Sequence, residues 1–298
     1  MRLPATPDGY REAARRIAAG GLVALPTETV YGLAGDARKG DAIRAIYALK
    51  GRPASNPLIV HVASLGMAGD YGVMNRHAEA LAGWGWPGPL TLVVERRASD
   101  LADGAGAGLA TIALRCPDVA WRRYIDGPLV MPSANLSGHV SPTRAEHVMA
   151  DFPELAVVDA GSCRGGIEST VVRVTKGGAT VLRPGGVTET EIARIVPVVE
   201  GERVGSPGLL LKHYAPAKPV RLEATEARAG EWLVGFGEVA GDATLSARGD
   251  VEEAARNLYA LLRAGDAAEA EAIAVAPVPE VGVGVAVNDR LRRAARGR

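Results

Sequence analysis

Cysteine is close to absent from this chain: Cys116 and Cys163 are the only two among 298 residues. Two thiols cannot build a disulfide framework or, by themselves, a four-ligand zinc site, so a reducing, cytoplasmic setting is expected. H-E-x-x-H is missing, as is any Cys/His ligand cluster around the five histidines, and no protein-held metal is expected. No apolar run approaches the roughly 20 residues needed to cross a bilayer, which excludes a transmembrane helix. The opening MRLPATPDGYREAARRI carries Arg and Glu where a signal peptide needs an apolar stretch, so export is not expected. Net charge is zero, with 34 basic and 34 acidic residues. A domain built mainly to grip a nucleic-acid backbone is usually strongly basic, although a local basic groove stays open. Lysine is scarce, at Lys39, Lys50, Lys176, Lys212 and Lys218, so a lysine beside a candidate site stands out.

The common nucleotide signatures are also missing. There is no Walker A sequence. The G-x-G-x-x-G match at Gly83–Gly88 follows a helical pattern and opens no helix, and Gly235-Phe236-Gly237 follows a strand with no helix directly after it. Cys163 and His139 can be drawn as a nucleophile–base pair, but nothing in the sequence brings them together.

What is present is an apolar content of 47%, enough for a sizeable core, and a length that favours two domains. Residues 10–19 pattern as a helix with Ala13, Ala14, Ile17 and Ala18 on one face. Asp41 is placed to cap a second helix that carries Ile43, Ile46 and Tyr47 and stops at Gly51-Arg52-Pro53. Strands are predicted at 22–26, 58–62, 90–94, 111–115, 128–132, 155–159, 169–174 and 180–183, with helical stretches near 76–83, 117–125 and 143–151. The mixture implies an α/β sheet domain, partly antiparallel where strands follow one another through turns such as Gly177-Gly178. Residues 197–219 lose both periods and read as a linker. Beyond them a strand at 232–236, a helix over 250–264, a strand at 273–278 and a basic helix at 288–296 make a small α/β domain. The expected division is 1–204, a linker over 205–219, and 220–298.

Three polar segments sit at the ends of predicted elements. Pro26-Thr27-Glu28-Thr29-Val30-Tyr31-Gly32-Leu33 leaves a buried strand with hydroxyls and a carboxylate, although a helix cap or turn would also use them. Lys50-Gly51-Arg52-Pro53-Ala54-Ser55-Asn56-Pro57 places two cations and an amide in a proline-stiffened loop. Cations there could serve only the helix dipole. As a pair they suit a polyphosphate, with Arg gripping bidentately and Lys acting as a point charge. Pro132-Ser133-Ala134-Asn135-Leu136-Ser137-Gly138, with Ser141-Pro142-Thr143 after it, gathers small donors at the mouth of a sheet, where α/β proteins bind ligands and where such a turn can cradle phosphate.

In order, PTETVYGL, KGRPASNPLIVH, TIALR, PSANLSG-x-x-SPT, GIESTVV and LRPG resemble the YrdC-like threonylcarbamoyl-AMP synthase family over about residues 8–200. SPGLLLKHYAP resembles the linker of its longer, two-domain branch. The resemblance implies an open, twisted mixed sheet around a concave, positively charged cleft, plus a small Rossmann-like C-terminal domain. It implies an enzyme that makes threonylcarbamoyl-AMP and pyrophosphate from L-threonine, bicarbonate and ATP, for a downstream threonylcarbamoyl transferase complex that modifies tRNA. Mg2+ would ride on the phosphates. Arg115 would hold the threonine carboxylate, with Thr29, His61 and Ser169 around the amino acid. Lys50, Arg52, Asn56, Thr111, Ser133, Ser141 and Arg183 would contact ATP, and Asn135 completes the signature. Two departures stand out: Leu209-Leu210-Leu211 replaces a basic and an aromatic residue usual in the linker, and the C-terminal domain is short. The turn, the leucine triplet and Lys212-His213-Tyr214 are more than a tether needs, so the linker is expected to fold across the cleft as a lid. Tyr214 would then approach the nucleotide. Two alternatives stay open: a double-stranded RNA or tRNA binding module, and a carbamoyl-phosphate-using transferase of the hydrogenase-maturation type. The latter carries zinc-finger cysteines that are absent here.

Overall fold

A computed structural model of the chain describes residues 1–201 and 213–297. The first half runs β1 (Arg2–Pro4), α1 (Pro7–Ala18), β2 (Val23–Leu25), β3 (Gly32–Asp36), α2 (Gly40–Lys50), β4 (Ile59–His61), α3 (Leu65–Tyr71), α4 (Arg76–Gly85) and β5 (Leu90–Glu95). It continues with β6 (Thr111–Arg115), β7 (Leu129–Val130), α5 (Ala145–Asp151), β8 (Ala156–Asp159), β9 (Thr170–Thr175), β10 (Gly178–Arg183) and α6 (Glu189–Ala193). The small domain holds β11 (Val220–Arg221), β12 (Glu231–Gly235), β13 (Ala243–Thr244), α7 (Val251–Ala267), β14 (Ala272–Val275) and α8 (Gly284–Ala294).

Among the described residues, ten strands form one mixed sheet in the order β1-β8-β2-β3-β7-β4-β6-β5-β9-β10. The expected antiparallel hairpin is β9–β10, turning at Gly177-Gly178. The four strands of the small domain pair only in parallel, in the order β11-β14-β12-β13. Its inner strands β12 and β14 carry the buried Leu233, Val234, Ile273, Ala274 and Val275, which is why this half reads as short apolar runs beside a helical pattern.

Local signals set several boundaries. Thr6 caps α1 by accepting from the Gly9 amide, and Tyr10, Ala13 and Ile17 form its buried stripe. Four sequence expectations shift. The Asp41 cap lies inside α2, which begins at Gly40 with Lys39 at the cap position. The helix expected over 117–125 is only a 3-10 turn at Ala120–Arg123, entered from an extended Val119 at φ −146° and left at Tyr124, whose backbone is no longer helical. The GLAGD strand β3 was hidden from the pattern by its two glycines, yet it is wholly buried. The basic C-terminal helix begins earlier, at Gly284, and is not a solvated basic face, since Arg290 on it is fully buried.

One apolar cluster crosses the two sheets. Val30, Val140 and Ile167 from loops of the large sheet pack with Tyr214, Ala254, Ala255, Leu258 and Tyr259. The small domain therefore sits on the polar loops singled out above.

Candidate active site

Three backbone ties bring the separated loops together. Tyr31 N–H donates to the Pro142 carbonyl, Ala134 N–H to Tyr31, and Gly165 N–H to Glu28. At the end of α2, Gly51 adopts the left-handed conformation at φ 60° and turns the chain so that Arg52 leaves the helix axis. The Arg52 guanidinium then donates to the carbonyls of Asn56 and Pro57, at 3.3 and 2.9 Å.

These loops line a partly open cavity walled by Thr29, Arg52, His61, Arg115, Ser133, Ser169, Arg183 and Tyr214, with Thr27, Glu168 and His213 beside them. Eight of the residues expected from sequence are thus brought together. Five others lie off the lining. Lys50 is buried behind it and donates through Nζ to the Ser133 carbonyl at 2.6 Å and to that of Asn135. It straps the Ser133–Asn135 turn to the end of α2. Asn135 uses its amide on the Leu136 and His139 carbonyls. The Asn56 carbonyl receives Arg52, Ser141 donates to Glu168, and Thr111 stands at the start of β6, four residues before Arg115.

The cavity is cationic. Arg115 pairs with Glu28 at 2.8 Å, both side chains being more than nine-tenths buried. The contact is not aligned as a hydrogen bond, so the Arg115 Nη2 keeps its donor capacity. Arg52 and Arg183 rest on carbonyl oxygens: Arg183 donates to the Ser169 carbonyl at 2.9 Å. Burial, aided by the neighbouring charge of Arg183 and opposed by Tyr47 and Tyr214, pushes Arg52 down to about 10. Such cations gain from an anion placed between them. Burial, together with Arg52, likewise pushes Lys50 down to about 7. Burial and the charge of Arg115 hold His61 neutral, and burial pushes His213 down to about 3. Thr27 accepts from the amides of Thr29 and Val30, fixing the first loop, and Thr91 and Ser169 share a hydroxyl contact of 2.8 Å.

Sequence patterns describing two families match the chain. One, described as Telomere recombination, matches residues 15–185, and the threonylcarbamoyl-AMP synthase C-terminal domain matches 187–296. The threonylcarbamoyl-AMP synthase of Bacillus subtilis strain 168 is 35% identical over 316 residues, covering 93% of this chain and 90% of that one. That of Pyrococcus abyssi is 37% identical over 319 residues, covering 96% and 93%. This chain belongs to the threonylcarbamoyl-AMP synthase family. The crystal structure of P. abyssi Sua5 complexed with L-threonine superposes with a TM-score of 0.89 at 33% identity, covering 99% of this chain and 98% of that one.

Within this threonylcarbamoyl-AMP synthase family fold, the expected lid divides in two. Residues 206–212, including the leucine triplet, lie outside the described residues. His213 and Tyr214 are described, and both stand in the cavity wall. Tyr214 adopts φ 64°, stacks on Tyr259 at 5.6 Å and has the Arg290 guanidinium 5.3 Å from its ring centre. Glu168, Tyr259 and Arg290 were not anticipated as site residues. Glu168 lies in the quoted GIESTVV run, so a carboxylate in a resembling motif was a usable signal. Tyr259 and Arg290 carried none: Tyr259 reads as part of the apolar stripe of α7 beside Ala255, Leu258 and Leu262, and Arg290 as one of several charges on α8.

Proposed function

We propose that the chain condenses L-threonine, bicarbonate and ATP into threonylcarbamoyl-AMP and pyrophosphate. One observation carries this reading: Arg52, Arg115 and Arg183 converge on a single cavity with the hydroxyls of Thr29, Ser133 and Ser169 between them. Arg115, with Thr29, His61 and Ser169, takes the threonine, its free donor meeting the carboxylate. Arg52, Ser133 and Arg183 take the phosphates, Tyr214 approaches the nucleotide, and Lys50 and Asn135 hold the turn that carries Ser133. Asn56, Thr111 and Ser141 complete the ATP subsite from behind the lining or at its edge.

In the reaction, threonine and bicarbonate give N-carboxy-threonine with loss of water. Its carboxylate oxygen attacks the α-phosphorus of ATP while the bond to pyrophosphate breaks. The protein orients the reactants and neutralises charge rather than forming a covalent bond. Mg2+ enters as part of the nucleotide substrate. Both oxygens of Glu168, the carboxylate in the lining, are taken by Ser141, Tyr259 and Arg290, so the phosphates are the better ligands.

Residues 1–204 form the catalytic domain in this reading, 205–219 the closing linker and 220–298 the small domain. The product passes to a threonylcarbamoyl transferase complex acting on tRNA, in a reducing cytoplasm that suits two buried free thiols. The RNA-binding alternative is not favoured, because cations buried in a cavity cannot track a backbone. The test is pyrophosphate release from Mg·ATP with threonine and bicarbonate present or singly omitted. Release that needs both supports the reading, and release indifferent to threonine sinks it.

A further inference from the structure

Arg290 is the largest side chain among the fully buried ones, on a helix at the far end of the chain from the catalytic motifs. Its Nε donates to Glu168 Oε2 at 3.0 Å, where the Tyr259 hydroxyl also donates at 2.8 Å. The other Glu168 oxygen accepts from Ser141 at 2.6 Å. Its Nη1 reaches Asp289 at 2.7 Å, its central carbon stands over the Tyr214 ring at 5.3 Å from the ring centre, and its Nη2 is buried without a hydrogen bond. A buried ion pair is weak support for stability, since well-packed apolar residues of similar volume often serve as well or better. Core stability alone therefore does not account for a guanidinium here.

The surroundings of Glu168 suggest what does. Glu168 lines the cavity, and the positive charge of Arg183 acts on it there. The peptide carbonyl of the next residue, Ser169, is what Arg183 grips. Without Arg290, the carboxylate would keep only neutral hydrogen-bond donors and would turn toward Arg183. It would then neutralise a cation that the phosphates need. The close seating of the two domains is built into the backbone. Gly166, at φ +75°, lies so near α7 that a Cβ there would come within 2.4 Å of the Ala255 carbonyl oxygen. Arg263 of α7 adds bonds to Val140 O at 2.6 Å and Asp151 at 2.7 Å.

We propose that Arg290 is a positioning residue for the reaction: from the small domain it holds the Glu168 carboxylate away from Arg183 and seats Tyr214 in the wall, so that the ATP subsite is complete only with the small domain docked. This rests on the reading of the cavity as an ATP and threonine site. It assigns the C-terminal helix a task at the site, separate from tethering.

The test is a double-mutant cycle on the full chain with Arg290→Gln and Glu168→Gln. Binding of a non-hydrolysable ATP analogue is read by calorimetry, and the KM values for ATP and threonine are read by pyrophosphate release. Arg290→Gln should weaken nucleotide binding by about tenfold or more and leave the threonine KM within about twofold, as expected for a charge captured inside one network. Adding Glu168→Gln should restore most of the nucleotide affinity, because a neutral amide cannot capture Arg183. If Arg290→Gln does not fold, Arg290→Lys, which keeps the charge but not the planar fork, should show a smaller loss with the same relief. Unchanged nucleotide affinity in these variants overturns the proposal, as does equal loss for both substrates that Glu168→Gln fails to relieve. The binding arm needs no turnover, so failure of wild-type protein to make the adenylate would count against the proposed reaction and leave the Arg290 outcome readable.

Discussion

Glu28 and Arg115 face each other at 2.8 Å, buried at 8% and 5% exposure, and join the 26–33 segment to the end of β6. Their contact lacks an aligned hydrogen bond, so the pair is neutralised without being saturated.

Removing Arg115 alone leaves Glu28 buried and uncompensated. Arg115→Ala should cost about 3–5 kcal/mol of stability as well as threonine binding. Arg115→Ala with Glu28→Gln should recover most of the melting temperature and none of the threonine affinity, with nucleotide affinity little changed throughout. Thermal melts and calorimetry with each ligand check this. Threonine binding that returns with the double substitution would make Arg115 a structural partner of Glu28 and nothing more.

Lys50 and Arg52 lie two residues apart and should fail differently. Arg52 lines the cavity, so Arg52→Ala should lower turnover by roughly a hundredfold, the scale of losing an electrostatic donor, in a folded protein. Lys50 straps two carbonyls. Lys50→Ala should add a stability loss of about 1–3 kcal/mol, because the Asn135 carbonyl loses its donor and the Ser133 carbonyl keeps only the Asn135 N–H. Turnover and melting temperature measured together on both variants separate the two roles.

Glu168 ties acid stability to the domain contact. Burial by itself raises its pKa, but Arg290 and Arg183, with bonds from Ser141 and Tyr259, hold it down to about 2 from an ordinary 4.5. A folded-state value below the unfolded one means the stabilisation is complete above about 4.5 and is lost as the pH falls toward 2. The melting-temperature advantage of wild type over Glu168→Gln should be largest near neutrality and shrink through that window. A constant difference between pH 7 and 3 would contradict it.

His213 should behave with the same sign in a higher window. Burial lowers it from 6.5 to about 3, so the unfolded chain binds a proton that the closed wall does not. Its contribution is full above about 6.5 and is lost as the pH falls toward 3. Tyr214→Ala removes the ring that stacks on Tyr259 and carries Arg290. That variant should turn over more slowly and release more hydrolysed threonylcarbamoyl-AMP, as expected when a wall that excludes water is opened. Product analysis by chromatography after single turnover decides it, and an unchanged hydrolysed fraction would remove the lid.

Much of the large-sheet half was legible because its signals are local. A strand that ends in a polar run, such as 22–26 before Thr27, and a helix stopped by Gly51, depend on residues close in sequence. So do the periods of 2 and 3.6 that located most of the elements. Glycine-rich β3 escaped because its burial comes from neighbours and not from its own composition, and β11 and β13 because two residues are too few to show a period. Within the site, Arg52, Arg115 and Arg183 could be named from their motifs. That Lys50 braces a turn instead of lining the cavity depends on where a flexible side chain finds its acceptors. Arg290 shows the limit most clearly. Between Asp289 and Arg292 it reads as one more charge on a basic helix, and its partner Glu168 is 122 residues away. A buried ion pair is set by packing across a domain interface, and helical periodicity carries no information about which distant surface will cover that face. The sequence by itself determined the polar motifs and most of the strands that present them; only the tertiary structure decided that Arg290 of the last helix and Ser141 of the large-sheet half hold the same carboxylate.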